Sequence, residues 1–238
     1  MKIDVDKLNA FDVGFTLTPD IEYYTFLAKK DRVDYIYNTS SLEGNPMTYP
    51  EVQTLLEGIT VGGHKLSDER MILNQNRSVE LLFDMLKNCE FRVDKSTFCK
   101  LHSKVSEEEA LKWGEFRDGD VNIGGTEYKP PTYKNLESVF EDGVKKISQL
   151  LNPIIKAICF FLFGAKNQFF YDGNKRTSRL MMNGILLSSG YPILNIKAKD
   201  KLEFNTKMIE FYEGDECIGT LEYLAHYYRE QNERLVRG

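Results

Sequence analysis

The chain has 238 residues, 42% of them apolar and 28% charged, with a formal net charge of −5. That is the make-up of an ordinary globular chain, long enough for one domain of generous size or for a core with an N-terminal extension. The negative balance argues against broad nucleic-acid binding, and no run approaches ~18 apolar residues, so no membrane span is expected. The start, Met1-Lys2-Ile3-Asp4-Val5-Asp6, carries no signal-peptide pattern. Cys89, Cys99, Cys159 and Cys217 are scattered without metal-ligand spacing; incidental thiols in a reducing, cytoplasmic compartment are the expectation.

Along residues 1–18, Phe11, Val13, Phe15 and Leu17 alternate with polar neighbours, which predicts a short extended arm. Pro19-Asp20 opens a helix predicted to end near Asn38, and Glu43-Gly44 reads locally as a helix end followed by glycine. Thr48-Tyr49-Pro50-Glu51 is a capping box for a short helix through Leu56, stopped by Gly58. Gly62-Gly63 is loop, and Ser67 begins a long helix of Met71, Leu73, Val79, Leu82, Phe83 and Leu86. Another runs from Asp94 to about Val105, with Phe98, Leu101 and Val105 at helical spacing. His102 falls inside that core pattern and reads as a satisfied structural histidine.

Val121 and Ile123 flank Asn122 in a two-residue alternation, and Gly124-Gly125 signals a tight turn, so one β-hairpin is predicted over residues 120–129. Trp113, just before it, reads as a hinge packed on the core. Thr132 caps a helix with Leu136, Val139, Phe140, Val144, Ile147 and Leu151 on one side. The helix from Asn152 is apolar nearly all round, as expected of a central buried helix. The helix after residue 173 closes at Ser189-Gly190, and two final helices are predicted at Asp200–Tyr212 and from Asp215 to about Leu235. The fold class is therefore all-α, a bundle of eight or more helices with one hairpin.

The richest segment is Gln168-Phe169-Phe170-Tyr171-Asp172-Gly173-Asn174-Lys175-Arg176-Thr177-Ser178-Arg179. A Gly-Asn turn at a helix start offers unpaired backbone N–H groups and the positive end of the helix dipole. Arg176 and Arg179, three apart, sit at neighbouring positions on one helix face. Asp172 supplies a hard oxygen of the kind Mg²⁺ takes when it also holds substrate phosphates. Together these point to a polyphosphate with its metal.

This segment resembles the signature of the Fic family, H-x-F-x-[DE]-G-N-x-R-x-x-R, at Phe170, Asp172, Gly173, Asn174, Arg176 and Arg179; the position of the family's histidine holds Gln168. Thr39-Ser40-Ser41-Leu42-Glu43-Gly44-Asn45 resembles the family's inhibitory motif, [ST]-x-x-x-E-[GN], and residues 114–131 resemble the Fic flap. The resemblance implies a Fic-type helical bundle in which residues 1–90 carry the inhibitory motif and residues 91–238 form the core. It implies ATP held by Gly173, Asn174, Lys175, Arg176 and Arg179, with Mg²⁺ on Asp172. It also implies a target protein docked on Val121, Asn122 and Ile123, and AMP transfer to a hydroxyl of that target. Glu43 would pair with Arg179 and keep it from the γ-phosphate. A glutamine amide cannot take the proton that the family's histidine takes, so Gln168 implies a weakened enzyme or a nucleotide-responsive binding module without turnover. Lys175 follows asparagine as in the Doc branch, whose members transfer the γ-phosphate, so kinase activity is a further alternative. No nucleic-acid or membrane partner is implied, and a homo-oligomer is compatible with the pattern.

Overall fold

Side-chain caps start many of the helices. In the computed structural model, which describes residues 1–214 and 216–236, Asp94 accepts the Thr97 N–H at 2.8 Å and starts α6, Lys95–Val105. Asn152 accepts from Ile154 and Ile155 and, with Pro153 at the first helical position, starts α8, Pro153–Asn167. The Glu51 carboxylate takes the Thr48 N–H at 2.7 Å, the reciprocal half of the predicted capping box, at the start of α4, Tyr49–Leu56. The remaining helices are α1 (Val5–Asn9), α2 (Ile21–Lys30), α3 (Arg32–Leu42), α5 (Leu66–Lys87), α7 (Leu136–Ser148), α9 (Asn174–Ser188), α10 (Lys201–Glu213), α11 (Ile218–Gln231) and α12 (Glu233–Val236). None of the described helices is long and apolar enough to cross a membrane.

Several expectations are corrected. The helix foreseen from Pro19-Asp20 is two helices meeting at Asp31, which makes no side-chain cap bond, and the second runs on to Leu42. That extra turn places Thr39 and Glu43 four residues apart on one face. The N-terminal arm contains α1, started by Asp4, whose carboxylate accepts the Lys7 N–H. Its Phe11, Val13 and Phe15 do pack against the core while Asp12, Gly14 and Thr16 face water, so the alternation is real without a partner strand. Thr132 makes no cap bond, because a single 3₁₀ turn at Tyr133–Asn135 precedes α7. Trp113 is 42% exposed rather than packed as a hinge. Asp215, expected to open the last helix, lies outside the described residues.

The predicted hairpin is the largest correction. No strand is present among the described residues; 121–123 and 126–130 are irregular arms around a turn at Gly124-Gly125, with no backbone ladder between them. Pro130 and Pro131 lack N–H donors on the return arm, and an isolated two-stranded ribbon is marginal in water. The base of this loop is held instead by side chains: Arg117 donates to the carbonyls of Gly119 and Pro131, and Asp120 accepts the Tyr133 N–H at 3.0 Å.

α8 and α9 pack on each other through the middle of the molecule, buried from Ala157 to Asn167 and from Arg176 to Leu187. Gly164 permits the close crossing, since a Cβ there would run into Ser178 Oγ. One continuous apolar core surrounds the pair. Within it Phe98 lies 4.8 Å, centroid to centroid, from Phe170 and 5.9 Å from Phe169. Both rings of the 168–173 loop are fully buried, each worth roughly 1.5–3 kcal/mol of transfer free energy. The loop is thus an extension of the core with a polar rim.

Candidate functional site

The site is the junction from α8 to α9. α8 ends at Gln168, in the left-handed region (φ 50), and α9 begins after Gly173, also left-handed (φ 71). Glycine is required at 173 because a Cβ would meet Ser106 Oγ as well as the unfavourable φ. Between these points the carbonyls of Gln168, Phe169, Phe170 and Asp172 are bonded by groups of Arg117, Asn174 and His102. Arg117 Nε donates to Gln168 O at 2.6 Å, and the Arg117 N–H to Phe169 O at 2.9 Å. Asn174 brackets Phe170, donating to its O at 2.8 Å and accepting its N–H at 2.9 Å. His102 Nε2 reaches Asp172 O at 2.9 Å while its Nδ1 accepts the Gly114 N–H at 3.0 Å, which assigns the neutral Nε2–H tautomer. Burial above all pushes the His102 pKa down to about 4. The expectation of a satisfied structural histidine is met, and what it satisfies is this loop.

A cleft of about 480 Å³ opens over the junction, within the range of small-molecule sites. Its wall includes Gln168, Asp172, Gly173, Asn174, Lys175 and Arg176 from the junction, Glu43 from the end of α3, and Asn122, Ile123 and Gly124 from the flap-like loop. Val121 is not part of the wall. The facing side is α10, through Asn205, Met208, Ile209 and Tyr212, a contribution that the helical spacing of α10 alone does not mark.

Arg176 and Arg179 are both buried but turn to different partners. Arg176 Nη1 donates to Glu109 Oε2 at 2.9 Å and to Val105 O at 3.2 Å, while Nη2 lies 3.8 Å from Asp172. Arg179 does not line the cleft. Its Nε donates to Thr39 Oγ1 at 2.8 Å, and Nη2 meets Glu43 Oε1 at 2.5 Å. Its Nη1 is buried with no partner. The other Glu43 oxygen, Oε2, lies 2.9 Å from Lys175 Nζ. Burial alone would raise the Glu43 pKa; the Arg179 and Lys175 charges outweigh it and hold the carboxyl at about 2. Glu43 is therefore ionised at every physiological pH.

The Gln168 amide is bonded at both ends: Nε2 donates to Ala165 O at 2.7 Å and Oε1 accepts from Asn174 Nδ2 at 3.0 Å. Asp172 is mostly exposed, with Oδ1 accepting the Gly173 N–H. No cluster of three or more metal-ligating side chains exists among the described residues. A single hard carboxylate on the rim suits Mg²⁺ only when phosphates and water supply the other oxygens.

Three groups escaped the sequence reading. Arg117 and Glu109 have no local signal, since their partners lie 51 and 67 positions away. Tyr171 donates to Asp118 at 2.7 Å and so ties the flap base to the junction; an aromatic beside an aspartate in sequence gives no hint of that pairing.

Comparison with known proteins agrees with the geometry. The Fic/DOC family model matches residues 92–186. Protein adenylyltransferase Fic of Drosophila willistoni is 29% identical over 196 residues, covering 79% of this chain and 39% of that protein. The chain thus spans about two fifths of the length of the curated relatives it matches. Among solved structures, Fic-1 of C. elegans superposes with a TM-score of 0.77 at 16% identity, covering 97% of this chain and 68% of that one. A Fic domain containing signaling protein from Bacteroides thetaiotaomicron gives a TM-score of 0.71 at 20% identity, with 98% and 92% coverage. At such identities the structures speak for the fold alone.

Proposed function

We propose that this chain, whose residues 92–186 match the Fic/DOC family model, is a Fic-type protein that binds ATP in the cleft and transfers AMP to a hydroxyl of a target protein. The single observation that carries this reading is the contact of Glu43 Oε1 with Arg179 Nη2 at 2.5 Å, beside a helix N-terminus that opens on the cleft. An anion site with its cations present but covered by a carboxylate is the arrangement of a nucleotide site held in check. The first-turn N–H groups of α9, with Lys175 and Arg176 on the wall, would cradle the phosphates. Mg²⁺, held by Asp172 and the phosphates, would supply charge neutralisation.

In the reaction, the target oxygen forms a bond to the α-phosphorus as the bond to the bridging oxygen breaks, and pyrophosphate leaves. The hydroxyl proton has to depart as well. Gln168, with its amide already bonded at both ends, does not take it, so the proton goes to water. Base assistance of this kind is worth roughly 10²–10⁴-fold. Positioning and electrostatic stabilisation carry much of phosphoryl-type catalysis. We therefore assign a slow adenylyltransferase under restraint by Glu43, with the target's backbone laid along the flap-like loop. Asn122, Ile123 and Gly124 of that loop line the cleft wall, which supports docking beside the nucleotide.

The test is transfer of radiolabel from ATP to protein by the Glu43→Gly variant, with α- and γ-labelled nucleotide in parallel. Label from the α position supports the proposal. Label from γ makes the protein a kinase, the outcome that Lys175 would favour. Mg-ATP binding with no transfer of either label makes it a nucleotide-responsive binding module.

A further inference from the structure

Glu43 presents two oxygens and each has its own cation. Oε1 faces Arg179 Nη2 and Oε2 faces Lys175 Nζ, at 2.5 and 2.9 Å. The two cations differ in access. The Lys175 side chain is 29% exposed and lies on the cleft wall, whereas that of Arg179 is 2% exposed and lies behind the carboxylate. A phosphate entering the cleft therefore meets Lys175 first and reaches Arg179 only after Glu43 has moved.

We propose that Lys175 is a second anchor of the Glu43 carboxylate, forming with Arg179 a two-cation latch whose Lys175 half is opened first by the incoming phosphate chain. This rests on the reading of Glu43 as the restraint on nucleotide binding. The charges require no new groups. With Lys175 drawn onto a phosphate, Glu43 keeps one partner instead of two, and a carboxylate at the cleft edge with one partner is displaced at lower cost. Lys175 then serves opposite ends in the two states, holding the restraint when the cleft is empty and holding phosphate when it is filled. A lysine that merely capped the helix start in solvent would do neither.

Opposite roles in two states give a distinctive signature. Mg-ATP binding is measured by calorimetry on the unaltered chain, Lys175→Met, Glu43→Gly and the double variant. With Glu43 removed, Lys175→Met should weaken binding by about tenfold, the loss of one charge-assisted phosphate contact. With Glu43 present, the same substitution should weaken binding at least about fivefold less, or tighten it, because the latch loosens at the same time. Lys175→Arg should restore the behaviour of the unaltered chain in both backgrounds. Lys175→Gln, which keeps a polar side chain at this half-exposed position, should repeat the Lys175→Met result. Equal fold-changes in the two backgrounds would overturn the latch while leaving Glu43 as a restraint. If Glu43→Gly itself leaves Mg-ATP binding unchanged, the reading of Glu43 falls, and the latch with it.

Discussion

The His102 imidazole lies flat on the Phe170 ring, centroids 3.6 Å apart and planes 4° from parallel, and hands its Nε2–H to the carbonyl of Asp172 two residues further on. One side chain thereby fixes both the buried and the exposed end of the turn that carries the candidate anion site. It does so only as the neutral imidazole, because protonation would put a second hydrogen on Nδ1, where the Gly114 N–H already points.

That geometry gives stability a pH dependence. The His102 pKa falls from its ordinary 6.5 to about 4 in the fold, so between those values the unfolded chain binds the extra proton and the folded chain does not. Stability is then fully present above pH 6.5 and falls as the pH falls, by about 2 kcal/mol at pH 5. Chemical denaturation at pH 7 and pH 5 should show this loss, and His102→Gln should remove most of the difference. An equal slope in both proteins would mean that His102 is not the group responsible. Glu43 adds nothing in this window, since its depressed pKa of about 2 keeps the carboxyl ionised throughout.

Arg117 is the second organiser of the turn. Its guanidinium supplies donors to Gln168 O, Gly119 O and Pro131 O, and it is 2% exposed. Arg117→Met keeps the bulk of the stem but leaves those carbonyls without their charged donor. The expected cost is on the order of 3 kcal/mol, or roughly 6–12 °C in Tm for a chain of this size. A melt unchanged within about 2 °C would show that water replaces the guanidinium without loss.

Glu43→Gly should destabilise the nucleotide-free protein, because the 2%-exposed Arg179 side chain then has no counter-charge. An uncompensated buried charge costs several kcal/mol, and the partial exposure of Glu43 reduces this to about 2–3 kcal/mol. Inorganic triphosphate, which brings the missing negative charge, should raise the melting temperature of Glu43→Gly more than that of the unaltered chain. Equal increments would argue that Arg179 is not opened to the cleft by the substitution.

Much of this arrangement was legible in the residues because it is local. Thr48 with Glu51, Asp94, Asn152 with Pro153, and Gly173 each act within four positions of chain, so their helix ends follow from capping and from φ alone. The flap misled because alternation and a Gly-Gly turn fit a hairpin, while pairing also needs donors that the Pro130-Pro131 arm does not have. The short α1 depends on the single cap of Asp4, and the break at Asp31, where no side-chain cap forms, interrupts an otherwise continuous pattern. Arg117, Glu109 and Lys175 find their roles through contacts 51, 67 and 132 positions apart, and no spacing rule reaches that far. Glu43 and Arg179, 136 apart, were linked only through the resemblance to a family in which both motifs occur.

The last expectation concerns Gln168. Its φ of 50 lies in the left-handed region, which histidine tolerates better than most residues, so Gln168→His fits the backbone as it stands. By itself the substitution should restore little transfer, because Arg179 remains held by Glu43 and the phosphates remain misplaced. Glu43→Gly alone should admit Mg-ATP but leave the hydroxyl proton to water, so that transfer is slow. Together they should raise the rate of label transfer from α-labelled ATP by roughly 10²–10⁴-fold over Glu43→Gly alone, the usual worth of a positioned base. The reasoning is that proton removal and phosphate orientation are separate requirements, and repairing one does not supply the other. Should the double variant bind Mg-ATP and still label no protein, a third feature of the cleft disables transfer, and Lys175 is the residue to replace next. In that event the binding-module reading stands in place of the adenylyltransferase.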